Sequence, residues 1–193
     1  MAMELQRTSI SDVVIIRPDR FADHRGYFSE TFRSDWFKEN IAPVDFVQEN
    51  QSLSVSAGTV RGLHFQTAPF AQGKLVRCVQ GALFDVAVDI RQGSPTYGHW
   101  VGATLSEENG DQLWIPQGFA HGFCSLEKDT VIAYKVTAYY SRPNDMGLAW
   151  DDADIGIDWP EVADPATLSD KDRSQPLLAN LPPHFSLQAE ETD

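Results

Sequence analysis

The residue pattern predicts a mainly β fold, a jelly-roll β-barrel with short peripheral and C-terminal helices, and three observations carry that expectation. Between about residues 13 and 136 the apolar signal comes in short β-branched and aromatic runs punctuated by Gly, Pro, Asn and Asp. The stretch Leu83–Ile90 alternates, with Phe84, Val86, Val88 and Ile90 on one face and Leu83, Asp85, Ala87 and Asp89 on the other. A strand face that carries polar groups into a small barrel marks a possible site. Finally, 193 residues at 42% hydrophobic suffice for one core and leave a second domain cramped. Residues 1–185 are therefore expected to form a single domain, with 186–193 as a disordered acidic tail.

Taken in order, strands are expected over Val13–Arg17, Tyr27–Phe32, Val44–Ser54, Val60–Phe65, Leu75–Gln80, Ala82–Asp89, His99–Leu105, Asp111–Ile115, Ala120–Ser125 and Thr130–Ala138. Gln80-Gly81 separates two dense runs, and Asn109-Gly110 suits a tight hairpin because both residues tolerate positive φ. Ser34–Asn40 reads as an early helix with Ser34 as its N-cap. After Trp159 the composition turns to Asp, Pro, Ser and Leu, and Leu168–Arg173 suits a short helix.

A formal net charge of −13 argues against non-specific binding to nucleic acid or anionic membranes, so a phosphate ligand must be met by local cations. No apolar run approaches a bilayer span and the first residues lack a leader-like apolar core, which leads to the expectation of a cytoplasmic protein. Cys78 and Cys124 sit in apolar surroundings without ligand spacing and are expected to be buried and reduced. The histidines His24, His64, His99, His121 and His184 include no HxH pair, so a conventional metal site is not expected, although His64 and His121 could approach each other in space and bind a metal weakly.

Certain short segments can carry chemistry. In VRGLHFQ (60–66), strand alternation puts His64 on the side of Gly62, with room beside the imidazole. Such a histidine is either a base or, more often, a hydrogen-bonded core residue. Lys74 in QGKLVR either snorkels at a barrel rim or supplies a fixed charge that stabilises an enolate oxygen. QLWIPQGFAHGF (112–123) reads as strand, turn and strand with His121 entering the second strand. In YKVTAYY (134–140), alternation puts Tyr134 and Tyr140 on one face, where packing is the commoner fate and a phenol facing a cavity would be a proton donor.

These segments, with FDVAVDIR, SPTYGHW and IGIDWP, occur in the order and at the spacing of one family, and the chain resembles the dTDP-4-dehydrorhamnose 3,5-epimerases from residue 21 to 172. The resemblance implies a cupin-like jelly-roll barrel and a reaction without metal or cofactor. A base removes protons from C3 and C5 of a nucleotide-linked 4-keto sugar, each acidified by the C4 ketone. By resemblance His64 is that base and Asp172 its partner carboxylate, although Asp170 lies two residues away in LSDKD. Lys74 matches the residue that stabilises the enolate, and Tyr134 the one that returns a proton on the opposite face. Arg25, Phe28, Glu30, Gln48, Asn50, Arg61, His121 and Tyr140 match substrate-binding positions. The family pattern also implies a homodimer in which the Arg25 region crosses to the partner. Glu49 departs from the aspartate often found between Gln and Asn. Two rivals remain: an enzyme that inverts only one carbon, and a non-catalytic barrel that only binds a sugar nucleotide.

Overall fold

The computed structural model describes residues 3–187. The strands are β1 (Met3–Arg7), β2 (Val14–Pro18), β3 (Phe21–Asp23), β4 (Gly26–Phe28), β5 (Gln48–Ser54), β6 (Val60–Gln66), β7 (Lys74–Gln80), β8 (Ala82–Asp89), β9 (Arg91–Gln92), β10 (Trp100–Ser106), β11 (Gln112–Ile115), β12 (Phe119–Ser125), β13 (Thr130–Val136), β14 (Asp145–Gly147) and β15 (Phe185–Ser186). The α-helices are α1 (Ser34–Asn40) and α2 (Asp170–Arg173). A six-stranded sheet, β1-β2-β11-β7-β13-β5, faces a five-stranded sheet, β10-β8-β12-β6-β14, and neighbouring strands in both are antiparallel. From β5 to β8 the chain changes sheet at every step, and it does so again from β10 through β14. This is the jelly-roll barrel that the alternating runs predict.

The layers follow from alternation. Val76, Leu113 and Ile132 from one sheet meet Leu83, Ala87, Phe119 and Phe123 from the other in the interior core. The opposite face of β8 packs Val86, Val88 and Ile90 beneath the C-terminal segment, where Leu148, Ile155 and Leu178 complete a second cluster. The polar face of β8 is thus the inner one, and it delivers Asp85 to the barrel interior. Outside the six-stranded sheet, Phe37 of α1 packs with Phe46 edge-on to Trp114. At the end of β8, the fully buried Asp89 carboxylate collects Nε and Nη2 of Arg91 and the hydroxyls of Ser94 and Thr96, which ties down the 91–98 loop.

Several expectations need correction. The run 27–32 is a strand only through Phe28, because β3 and β4 form a separate small hairpin and the chain then turns toward α1. Val44–Val47 is not strand: Val44 and Phe46 leave the sheet edge to pack in the cluster around Trp114. Asn109-Gly110 makes a turn with Gly110 at φ 66°, but β10 and β11 lie in different sheets, so it is no hairpin. Helix α1 has the expected bounds, but Arg33 is its N-cap and no side chain caps it. β13 ends at Val136, so the alternation expected through Tyr140 stops early. The short strands β1, β9, β14 and β15 lack the dense apolar runs that reveal the others. Cys78 and Cys124 are buried free thiols, and burial pushes both pKa values up to about 11. β15 pairs with β9 and Leu187 donates its N–H to Gln92; the rest of the tail lies outside the described residues.

Candidate active site

The site forms where β6, β7, β12 and β13 face one another and α2 closes the end. Its first part is a close approach of backbones. Gly62 on β6 has φ 121°, and a Cβ there would lie 2.6 Å from the Gly122 Cα. The register between β6 and β12 shifts between His121 and Phe123 at the same place. The glycine and the bulge break the simple alternation of β6, so Arg61 and His64 line the same cavity instead of pointing apart. Beyond the irregularity His64 lies directly across from His121.

His64 Nε2 lies 2.5 Å from Asp172 Oδ1. Helix α2 supplies that carboxylate, and the Ser169 hydroxyl caps the helix by accepting from the Asp172 N–H. Burial opposes ionisation of Asp172, but the hydrogen bond and charge of His64, helped by Ser169 and the Gly62 N–H, outweigh it and hold the carboxyl below its ordinary value. An ionised carboxylate only accepts, so Nε2 carries the proton and a neutral His64 keeps a bare lone pair on Nδ1. Asp170 is exposed and does not contact His64, so the pairing falls on Asp172.

Lys74 opens β7 and is buried, with Nζ donating to the His64 carbonyl at 3.2 Å. Burial pulls its pKa down to about 8 against the opposing charges of Asp85 and Asp145. The ammonium is therefore an internal charge and not a snorkelling one. Tyr134 on β13 pairs in register with Asn50 of β5. Burial pushes its phenol up despite the nearby Arg61 charge and a hydrogen bond with Asn50, so the group holds its proton. His121 Nε2 lies 2.7 Å from Asp85 Oδ1 in a fully enclosed pair, and burial lowers the imidazole pKa although Asp85 favours the charged form.

These side chains line two adjoining cavities of about 350 and 250 Å³, which share His64, Lys74, Tyr134 and Lys171. The first adds Arg61, His121 and Asp172. The second adds Gln48, Asn50 and Tyr140, the last reached by a loop and bonded through its hydroxyl to Asp145 at 3.1 Å. Alternation in β5 turns Gln48, Asn50 and Ser52 inward at that sheet's edge. A larger cavity of about 480 Å³ between the N-terminal strands and the end of α1 holds none of the candidate residues. Arg25, Phe28 and Glu30 are not brought to the site: Arg25 sits on the β3–β4 turn, paired with Asp23, and Phe28 is 62% exposed. The site also holds residues that sequence reasoning did not select. Asp85 was visible only as a polar residue on an inward face, Lys171 adjoins Asp172 in LSDKD, and Asp145, 2.6 Å from Lys171, gave no local signal. Among the described residues no three His, Cys, Asp or Glu side chains are grouped as a metal ion would require.

A jelly-roll barrel with a carboxylate-oriented imidazole, a buried ammonium and a protonated phenol around one cavity defines an acid–base enzyme of the cupin-like class. The family model described as dTDP-4-dehydrorhamnose 3,5-epimerase matches residues 7–180, and the chain belongs to that family. A dTDP-4-dehydrorhamnose 3,5-epimerase of Sinorhizobium fredii is 63% identical over 183 residues, covering 95% of this chain and 93% of the relative. The crystal structure of the Legionella pneumophila dTDP-6-deoxy-D-glucose-3,5-epimerase in complex with dTDP-4-keto-L-rhamnose superposes with a TM-score of 0.91 at 42% identity, covering 97% of this chain and 100% of that one. The Bacillus anthracis dTDP-4-dehydrorhamnose 3,5-epimerase structure with TDP and pyrophosphate bound gives a TM-score of 0.87 at 46% identity, covering 91% and 99%.

Proposed function

We propose that the chain inverts C3 and C5 of dTDP-4-dehydro-6-deoxy-D-glucose to give dTDP-4-dehydro-L-rhamnose, a step in dTDP-L-rhamnose biosynthesis. The observation that carries this reading is the His64–Asp172 pair at 2.5 Å, opening onto a cavity also lined by Lys74 and Tyr134. In this reading Nδ1 of His64 takes the proton from C3 and later from C5. Lys74 stabilises the charge that develops on the C4 oxygen, where a fixed internal cation acts without reorganisation. Tyr134 delivers a proton to the opposite face. Inversion requires a second face, because a base that returned the proton where it took it would restore the starting configuration. Arg61 suits the pyrophosphate through its guanidinium fork, and Gln48, Asn50, His121 and Tyr140 bind the remainder of the substrate. A barrel that only binds a sugar nucleotide has no use for the base, the internal cation and the phenol together.

Incubation with the 4-keto sugar nucleotide in deuterated water, followed by NMR at C3 and C5, tests the reading. Deuterium at both carbons with conversion to the inverted product supports it. Exchange and inversion at one carbon alone would make the chain a mono-epimerase, and no exchange at either would refute the assignment.

The reading extends to a homodimer. β5 is an edge strand with Leu53 exposed, flanked by exposed Val47 and Val55, and the β3–β4 hairpin displays Phe28 and Arg25 away from its own site. Pairing two copies would cover both features and bring Arg25, Phe28 and Glu30 to the partner's cavity. Light scattering should give twice the chain mass. Mixed dimers of Arg25→Ala and His64→Ala should recover activity, since one of the two sites would then be intact; no recovery from a confirmed mixed dimer would place Arg25 elsewhere. A cytoplasmic location belongs to the same proposal, to be checked by fractionation; no described helix is long and apolar enough to cross a membrane.

A further inference from the structure

Behind the substrate-facing side chains lies a carboxylate that the mechanism above does not use. Asp85 is fully buried on the inner face of β8; one oxygen meets His121 Nε2 at 2.7 Å and the other, Oδ2, is buried without a hydrogen-bond partner among the described residues. A buried carboxylate oxygen left in that state is costly unless a nearby positive charge compensates it. Lys74 is the candidate. Among the described residues its ammonium bonds only to the His64 carbonyl, leaving two of its three N–H groups without a partner there, and Asp85 is the strongest negative charge acting on it.

The other groups around Lys74 do not fill that role. Asp145 of β14 also acts on it, but Asp145 is ion-paired with Lys171 of α2, and Lys171 opposes the charge of Lys74. Asp172 of α2 is committed to His64 of β6. His121 of β12 and Tyr134 of β13 share the cavity but are neutral in their shifted states, and Arg61 of β6 adds positive charge. We infer that Asp85 is a positioning residue for epimerisation, whose buried carboxylate is the fixed counter-charge that keeps Lys74 an ammonium beside the developing enolate. It acts from behind the cavity wall, since His121 and Lys74 line the cavity and Asp85 does not. The inference rests on the assignment of Lys74 to the enolate.

Asp85→Asn tests it, because the amide oxygen still accepts from His121 while the charge is removed. With Lys74 starting near 8, loss of one neighbouring charge should move the basic limb of the kcat/KM profile down by about one pH unit. Activity should fall about five- to tenfold between pH 8 and 9 and stay near the parental value at pH 6. An unchanged basic limb, or an equal loss at every pH, overturns the inference; the second result is what a merely structural Asp85 would give. Lys74→Ala separates the two levels of argument. If it retains exchange at C3 and C5, the enolate assignment fails, whereas if it is inactive while Asp85→Asn keeps the parental profile, only the role of Asp85 fails. Should Asp85→Asn not fold, NMR titration of the unmodified enzyme decides: the Asp85 13Cγ resonance must inflect with the Lys74 15Nζ resonance near pH 8, and a flat 13Cγ trace there refutes the coupling.

Discussion

Replacing Asp172 by Asn keeps the size of the side chain and changes only what it can offer. The carboxylate accepts the His64 Nε2 proton at 2.5 Å and also receives the Gly62 N–H. An amide in the same place can donate to Nε2, which favours the tautomer with its proton on Nδ1, the nitrogen that must be bare to act as base. The loss should therefore approach the whole contribution of general base catalysis, about 10²–10⁴-fold in turnover, while substrate affinity stays within about threefold. Deuterium incorporation at C3 and C5 reads this directly, and both positions should fall together. Deleting a buried, charge-assisted hydrogen bond should also cost about 1.5–3 kcal/mol at pH 7. The sign of the pH dependence follows from the lowered carboxyl: its stabilisation is present above the unfolded carboxyl pKa and is lost as pH falls through the lower folded value. Urea melts of parent and variant should thus converge toward acid. Exchange within about threefold of the parent, or an equal loss in Asp170→Asn, whose side chain is exposed, would refute the dyad argument.

Other consequences are separable from that one. Tyr134→Phe should uncouple the two signals, with deuterium washing into the substrate faster than inverted product forms; a parallel fall in both would count against a proton-donor role. Asp89→Asn should destabilise the fold by about 3 kcal/mol at neutral pH, because the partly buried Arg91 guanidinium would keep only its Asp12 partner and the Ser94 and Thr96 hydroxyls would lose their charged acceptor. That penalty should shrink at low pH, since the lowered Asp89 carboxyl loses its stabilising contribution as it protonates, and equal melting differences at pH 7 and pH 3 would contradict it. Exhaustive chelation should leave turnover unchanged, because among the described residues no three His, Cys, Asp or Glu side chains are grouped to hold a metal ion. Loss with EDTA and recovery with one added metal ion would overturn the metal-free scheme.

What the sequence made legible was whatever a short window can carry. The inner strands announced themselves because burial on both faces demands dense β-branched and aromatic runs, and the helix over Ser34–Asn40 appeared with its observed bounds. The edge and closing strands β1, β9, β14 and β15 bury little, so no such run marks them. His64, Lys74 and Tyr134 could be named from their motifs, but strict alternation would keep Arg61 and His64 on opposite sides of β6, and the positive φ of Gly62 and the bulge opposite it, which bring them to one cavity, are made by two strands and not by either alone.

The harder part of the site is electrostatic and comes from residues far apart in the chain. Asp172 reaches His64 across a sequence separation of 108, and Asp85 reaches His121 across 36. Asp145 and Lys171 meet across 26 on the outer side of the same cavity. Asp172 could be named through its resemblance to the family motif, but in a chain with a net charge of −13 acidic residues are common enough that none stands out by type. Their meaning comes from the barrel, which removes water from Asp85, Lys74 and His121 at once and so makes each charge depend on its neighbours. The same burial that draws the Lys74 pKa down toward 8 works against its charge, and Asp85 is the largest charge opposing that shift. A sequence motif can therefore nominate the cation that faces the substrate, while the carboxylate that keeps it charged becomes visible only when the β8 strand is seen folded against β12 and β7.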